Sequence, residues 1–206
     1  RMASPYSPAG LAAYAISAVD LAAWDLKGKI LKQPVYALAG GPAREDIVCY
    51  ATGNDTDWHM ELGFSATKLA CPYGVADGLA GLHGVEELVS RTRAEIGGKI
   101  ELMLDCWMSF DVDFAVRLAE RLKPYHLRWI EDCLTPENLD AHDELRRRLP
   151  WMTLATGEHW YQPHPFLHAA ARRSVDIFQP DICWAGGFTA CQRINAIAET
   201  AGVGLI

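Results

Sequence analysis

The feature that most constrains the fold of this 206-residue chain is a recurring carboxylate, each copy closing a short apolar run. Asp105 closes Glu101-Leu102-Met103-Leu104-Asp105, Glu131 closes Leu127-Arg128-Trp129-Ile130-Glu131, and Glu158 closes Thr153-Leu154-Ala155-Thr156-Gly157-Glu158. The intervals, 131 − 105 = 26 and 158 − 131 = 27 residues, each fit one strand, one helix and two loops. A unit of that size, repeated, brings the acids to the same end of three successive parallel strands. Three like charges gathered there need a hard divalent cation.

Short runs rich in Val, Ile, Leu and Trp between turn residues predict strands near 47–52, 65–71, 101–106, 127–133, 153–158, 177–182 and 202–206. Helical patterns lie between them. Residues 111–123 put Val112, Ala115, Val116, Ala119 and Leu122 on one face, with Asp111 and Asp113 near the start. Residues 137–149 begin with Glu137 and end with Arg146, Arg147 and Arg148, which complements the helix dipole. The alternation predicts an α/β fold with a parallel sheet, either doubly wound or a (β/α)8 barrel. Lys68, Asp105, Glu131, Glu158 and Asp181 are all read at strand ends, as a barrel's active site requires, so the barrel is preferred. No Gly-rich phosphate loop follows the first strand, which argues against dinucleotide binding.

Half the residues are hydrophobic and the net charge is −7, enough for a large core and a poor match to nucleic acid. No apolar run reaches membrane-spanning length, so the expected location is cytoplasmic. The six cysteines, Cys49, Cys71, Cys106, Cys133, Cys183 and Cys191, form no C-x-x-C pair and are expected as reduced thiols.

From Gly10 to Lys32 the chain reads as one Ala-rich helix ending at Gln33-Pro34, and Gly40-Gly41 breaks the chain before the first strand. Asp20 and Asp25 within this helix are read as making local structural contacts. The helix Ala15-Ile16-Ser17-Ala18-Val19-Asp20-Leu21-Ala22-Ala23-Trp24-Asp25-Leu26-Lys27-Gly28-Lys29, followed by Pro34-Val35-Tyr36-Ala37-Leu38-Ala39-Gly40-Gly41, resembles the segment leading into the barrel of the enolase superfamily, mandelate racemase subgroup. The segments Ala66–Gly74, Leu102–Met108, Trp129–Glu137 and Leu154–Tyr161 are similar to the sugar-acid dehydratases of that subgroup. The resemblance implies an incomplete barrel, strands one to about seven, without the N-terminal α+β capping domain. Residues 1–45 would be the helical segment leading in, and residues 46–206 the partial barrel of a protein roughly twice as long.

The resemblance also implies the site. Asp105, Glu131 and Glu158 would hold one Mg²⁺ per site, and the oxygen-only donor set favours that ion over zinc. Each acid taken singly could instead form a salt bridge to a barrel loop. In this subgroup a Lys-x-Lys pair on the second strand often supplies a base; Lys68-Leu69-Ala70 has alanine at the second place, which implies a one-base site. Asp181 would orient a histidine on the seventh strand and raise its basicity, and that histidine is expected just beyond Ile206. His159 is a candidate substrate contact or packs against the next loop. Lys68 either polarises the site and contacts substrate or pairs with a ligand carboxylate. Trp107, Trp160, Trp184 and Tyr161 could wall the pocket or serve packing. The implied activity is a hydro-lyase reaction on a small sugar acid, with the full-length protein a homo-oligomer and this piece itself inactive. The alternatives are a different sugar acid or a non-catalytic remnant.

Overall fold

The computed structural model describes residues 9–206. Seven strands alternate with helices: β1 (Ala51–Thr52), β2 (Ala66–Ala70), β3 (Glu101–Asp105), β4 (Ile130–Glu131), β5 (Leu154–Thr156), β6 (Ile177–Phe178) and β7 (Gly204–Leu205). The helices are α1 (Leu11–Leu31), α2 (Val35–Leu38), α3 (Thr56–Glu61), α4 (Gly78–Ile96), α5 (Val112–Leu122), α6 (Leu139–Arg148), α7 (Pro163–Arg172) and α8 (Gly187–Ala201). The sheet follows the chain, β1-β2-β3-β4-β5-β6-β7, the order of consecutive right-handed βα units. It is the parallel α/β arrangement of a partial barrel, with all seven strands inside or overlapping the predicted runs and shorter than them.

The described residues divide into two compact units. One runs from Cys49 to Thr156 and adds Arg172–Ile177; the other holds the residues up to Val48 with Gly157–Ala171 and Phe178–Ile206.

In the first unit, parallel register pairs Ala70 with Asp105, Asp105 with Glu131, and Glu131 with Ala155. Side chains alternate along a strand, so each register step fixes which residues share a face. One face carries Ala66, Met103, Trp129 and Ala155 as a buried layer, with Tyr50 and Ile177 packed against it. Lys68, Asp105 and Glu131 belong to that same face by period two. The other face carries buried Leu69, Leu102, Leu104, Ile130 and Leu154.

The helices of this unit form where the sequence supplies caps and a stripe. Asp111 caps α5, its Oδ1 accepting the Phe114 N–H at 2.7 Å, and Phe114, Ala115, Leu118, Ala119 and Leu122 are buried at helical spacing. Asn138 caps α6 through the Ala141 N–H at 3.1 Å. Helix α4 contains Gly84 because the Tyr73 ring lies where a side chain would be, 2.5 Å from a Cβ built there. At the opposite end of the strands from the acids, the Arg93 guanidinium donates to the carbonyls of Tyr125 (3.0 Å), Gly97 (2.9 Å), Ile100 (2.7 Å) and His126 (3.2 Å).

In the second unit α1 packs on α8. Asp20 Oδ2 accepts the Thr189 N–H at 2.9 Å and the Trp24 indole donates to Thr189 Oγ1 at 2.9 Å. Asp20 therefore complements the positive end of α8. A Cβ on Gly187 would lie 2.5 Å from that carboxylate, so the start of α8 is glycine. Asp25 pairs with Lys29 one turn later.

Candidate active site

The end of β2, β3 and β4 gathers one cation and two acids within the first unit. Lys68 sits in the middle of β2, two residues before its end, a shift from the expected strand terminus. Its register partner is Met103, one step below Asp105 on the same face. From there the Lys68 ammonium reaches Asp105 Oδ2 at 3.2 Å and forms a closer ion pair with Glu131 Oε1. Glu131 is fully buried and Lys68 is 5% exposed. Burial opposes the charge on Lys68, but Glu131 and then Asp105 outweigh it and raise its pKa above the ordinary lysine value. The second oxygen of Glu131 accepts the Trp129 indole N–H at 2.9 Å. Asp105 Oδ1 accepts the Trp107 N–H at 3.0 Å, which turns the chain sharply after β3.

The residue after Glu131 is a second buried acid. Asp132 has a left-handed backbone, φ 45°, and its Oδ1 accepts the Thr156 hydroxyl at 2.5 Å. Its N–H donates to the Ala155 carbonyl at 3.0 Å, so the turn that ends β4 is tied to β5. The thiols of Cys106 and Cys133, each just past a ligand candidate, lie 3.9 Å apart and buried. Burial pushes the Cys71 thiol up to about 11, well away from a reactive thiolate.

The second unit holds Glu158, His159 and Asp181. Glu158 follows the left-handed Gly157 (φ 129°), where a Cβ would lie 2.8 Å from the Phe166 ring. His159 Nδ1 lies 3.6 Å from Glu158 Oε1, and its ring meets Trp184 edge-on at 5.1 Å. Tyr161 stacks parallel to Trp184, and Tyr14 of α1 shares a 3.1 Å hydrogen bond with the Tyr161 hydroxyl. Trp160, in contrast, is buried against Phe166 and Phe178. Asp181, in the loop after β6, accepts the Cys183 N–H at 2.6 Å. His126 caps a turn near Arg93, and His164 and His168 lie on α7. Trp129, Tyr50 and Asp132 are the members of this region that sequence patterns did not single out. Trp129 was accessible to a period-two reading, being two residues before Glu131 on one strand.

Residues 56–206 match the family model described as Enolase C-terminal domain-like. The chain belongs to the enolase superfamily. Residues 3–40 match the model for the Mandelate racemase / muconate lactonizing enzyme, N-terminal domain. An L-rhamnonate dehydratase from Saccharopolyspora erythraea is 44% identical over 198 residues, 96% of this chain and 51% of that protein. The crystal structure of L-rhamnonate dehydratase from Gibberella zeae superposes with a TM-score of 0.96 at 34% identity, covering 100% of this chain and 52% of that one. The same enzyme has been solved in complex with Mg, with the same TM-score and identity, covering 100% of this chain and 50% of that one. A 3,6-anhydro-D-galactonate cycloisomerase from Zobellia galactanivorans superposes with a TM-score of 0.91 at 32% identity, over 100% of this chain and 59% of that one. This superfamily member thus spans about half the length of the dehydratases it matches. Among the described residues, no helix is long and apolar enough to cross a membrane.

Proposed function

We propose that this chain carries the metal-binding strands of a sugar-acid dehydratase, converting L-rhamnonate to 2-keto-3-deoxy-L-rhamnonate and water. The observation that carries the reading is the register pairing of Asp105 with the buried Glu131, on a chain 44% identical to an L-rhamnonate dehydratase. Two acids side by side, one of them buried, need a cation, and Lys68 already supplies one positive charge there. With Glu158 as third ligand the donor set is all carboxylate oxygen, which fits Mg²⁺. When bound, Mg²⁺ would stabilise the charge that grows on the substrate carboxylate as C2 loses its proton.

The residues of the chain do the rest. Asp105, Glu131 and Glu158 would hold the ion. Lys68 pairs with Glu131 and holds it in place, and its ammonium can contact a substrate oxygen. His159, steadied by Trp184, offers a hydrogen bond to a sugar hydroxyl. Asp181 would orient a histidine that the full-length protein supplies after β7 and raise its basicity, and that histidine would take the C2 proton. The C2–H electron pair forms the C2–C3 double bond, the C3–O bond breaks, and the hydroxyl leaves as water once protonated; the enol then tautomerises to the 2-keto acid. Residues 1–45 lead into this barrel, and the full-length protein is a cytoplasmic homo-oligomer in this reading.

A panel of acid sugars incubated with the full-length protein and Mg²⁺ tests the substrate. L-rhamnonate should give 2-keto-3-deoxy acid fastest. Faster turnover of another stereoisomer would reassign the substrate, and no turnover of any acid sugar would sink the reading.

A further inference from the structure

We propose that Trp129 is a positioning residue for Glu131: its indole N–H holds one carboxylate oxygen so that the other is presented to a cation. The proposal rests on the metal reading above and deepens it. Trp129 and Glu131 are two residues apart on β4 and its lead-in, so they point to the same face. Trp129 is 2% exposed and its Nε1 lies 2.9 Å from Glu131 Oε2. The opposite oxygen, Oε1, is the one that meets the Lys68 ammonium. The two oxygens of this carboxylate thus have different partners, a neutral N–H donor on one and a cation on the other.

That division matters because the terminal torsion of a glutamate is broad and weakly restrained by itself. A fixed donor on one oxygen selects the carboxylate plane before any ion arrives. Trp129 can act so because it is itself held. The Tyr50 ring meets it edge-on at 5.6 Å, and Ala66, Met103 and Ala155 complete the buried layer around it. Tyr50 also lies 5.6 Å beneath the Lys68 ammonium, so one aromatic pair braces both partners of Glu131. Groups that orient a metal-binding side chain in this way typically change metal affinity about 10–100-fold when removed.

Trp129→Phe keeps an aromatic ring in the layer and deletes the N–H. Calorimetric titration with Mn²⁺ should show affinity about 10–100-fold weaker than wild type, while Met103→Leu, a packing change in the same layer, stays near wild type. Wild-type affinity in a cooperatively folded Trp129→Phe would overturn the proposal. Should that variant fail to fold, ¹⁵N-indole spectra of the wild-type protein decide the matter. The indole resonance with Overhauser contacts to the Tyr50 ring should shift on adding Mg²⁺, and should not in Glu131→Gln. A resonance unmoved by saturating Mg²⁺ in the wild type would overturn the proposal. If wild type binds no Mn²⁺ at all, the metal reading itself fails.

Discussion

Replacing Lys68 with methionine separates the stability role of the buried cluster from its chemistry. The substitution keeps most of the side-chain volume and removes the ammonium that pairs with both Glu131 and Asp105. Glu131, fully buried, would then keep the Trp129 N–H on Oε2 and lose the charge that offsets its desolvation. Breaking a buried pair from one side costs about 3–5 kcal/mol, which for a chain of this size lowers Tm by roughly 6–20 °C. Removing both charges is far less costly, because no buried ion is left unpaired. Urea denaturation in EDTA of wild type, Lys68→Met, Glu131→Gln and the double variant should therefore give a coupling of about 2–3 kcal/mol. Mg²⁺ at a hundred times its Kd should return about 2.7 kcal/mol to the Lys68→Met form. A loss below about 1 kcal/mol in EDTA, or an equal loss in the Glu131→Gln background, would refute the argument that Lys68 neutralises these acids.

Arg93→Ala removes a guanidinium that serves four carbonyls at the ends of α4 and the following turns, and should cost about 2–3 kcal/mol in denaturant titration; Arg93→Lys should recover little, since one ammonium cannot reproduce the fork. His142 is buried, and burial lowers its pKa below 6.5 against the opposing pull of the Asn138 carbonyl, Asp132 and Asp143. The unfolded chain therefore takes up its proton first as pH falls, so stability is fully present above pH 6.5 and declines below it. Comparing urea midpoints at pH 7.5 and pH 5.5, a His142→Gln variant should lose less on acidification than wild type. With Ala70 in place of a second lysine, the full-length protein should exchange the C2 hydrogen of only one enantiomer of a substrate that cannot eliminate; proton NMR in D₂O showing exchange in both would contradict a one-base site.

The parts of the fold that rest on repetition were legible. Acids recur at nearly equal spacing because each βα unit is a full traverse of the barrel wall; Asp105 and Glu131 fall at the last residues of β3 and β4, whereas Glu158 lies two residues past the end of β5. Local chemistry shortened what the patterns extended. The run 127–133 becomes only Ile130–Glu131, because Asp132 leaves extended geometry at φ 45° to bond Thr156. Helix α4 carries four glycines counting Gly78, Gly81, Gly84 and the terminating Gly97, a composition that disguises a helix until Tyr73 is seen packing into the gap at Gly84. Lys68 stood out in the sequence, but its two carboxylate partners come from register, which one strand's sequence does not contain. Trp129 read as an ordinary strand aromatic because its hydrogen bond depends on Glu131 being buried rather than solvated.

The central claim is that Asp105, Glu131 and Glu158 share one divalent ion, and Mn²⁺ titration of wild type against Asp105→Asn, Glu131→Gln and Glu158→Gln tests it most directly. Wild type should bind one ion per chain, and each variant should lose most of that affinity while retaining a cooperative melt. Equal affinity across all four proteins would contradict the shared site, and loss confined to Asp105→Asn and Glu131→Gln would remove Glu158 from it.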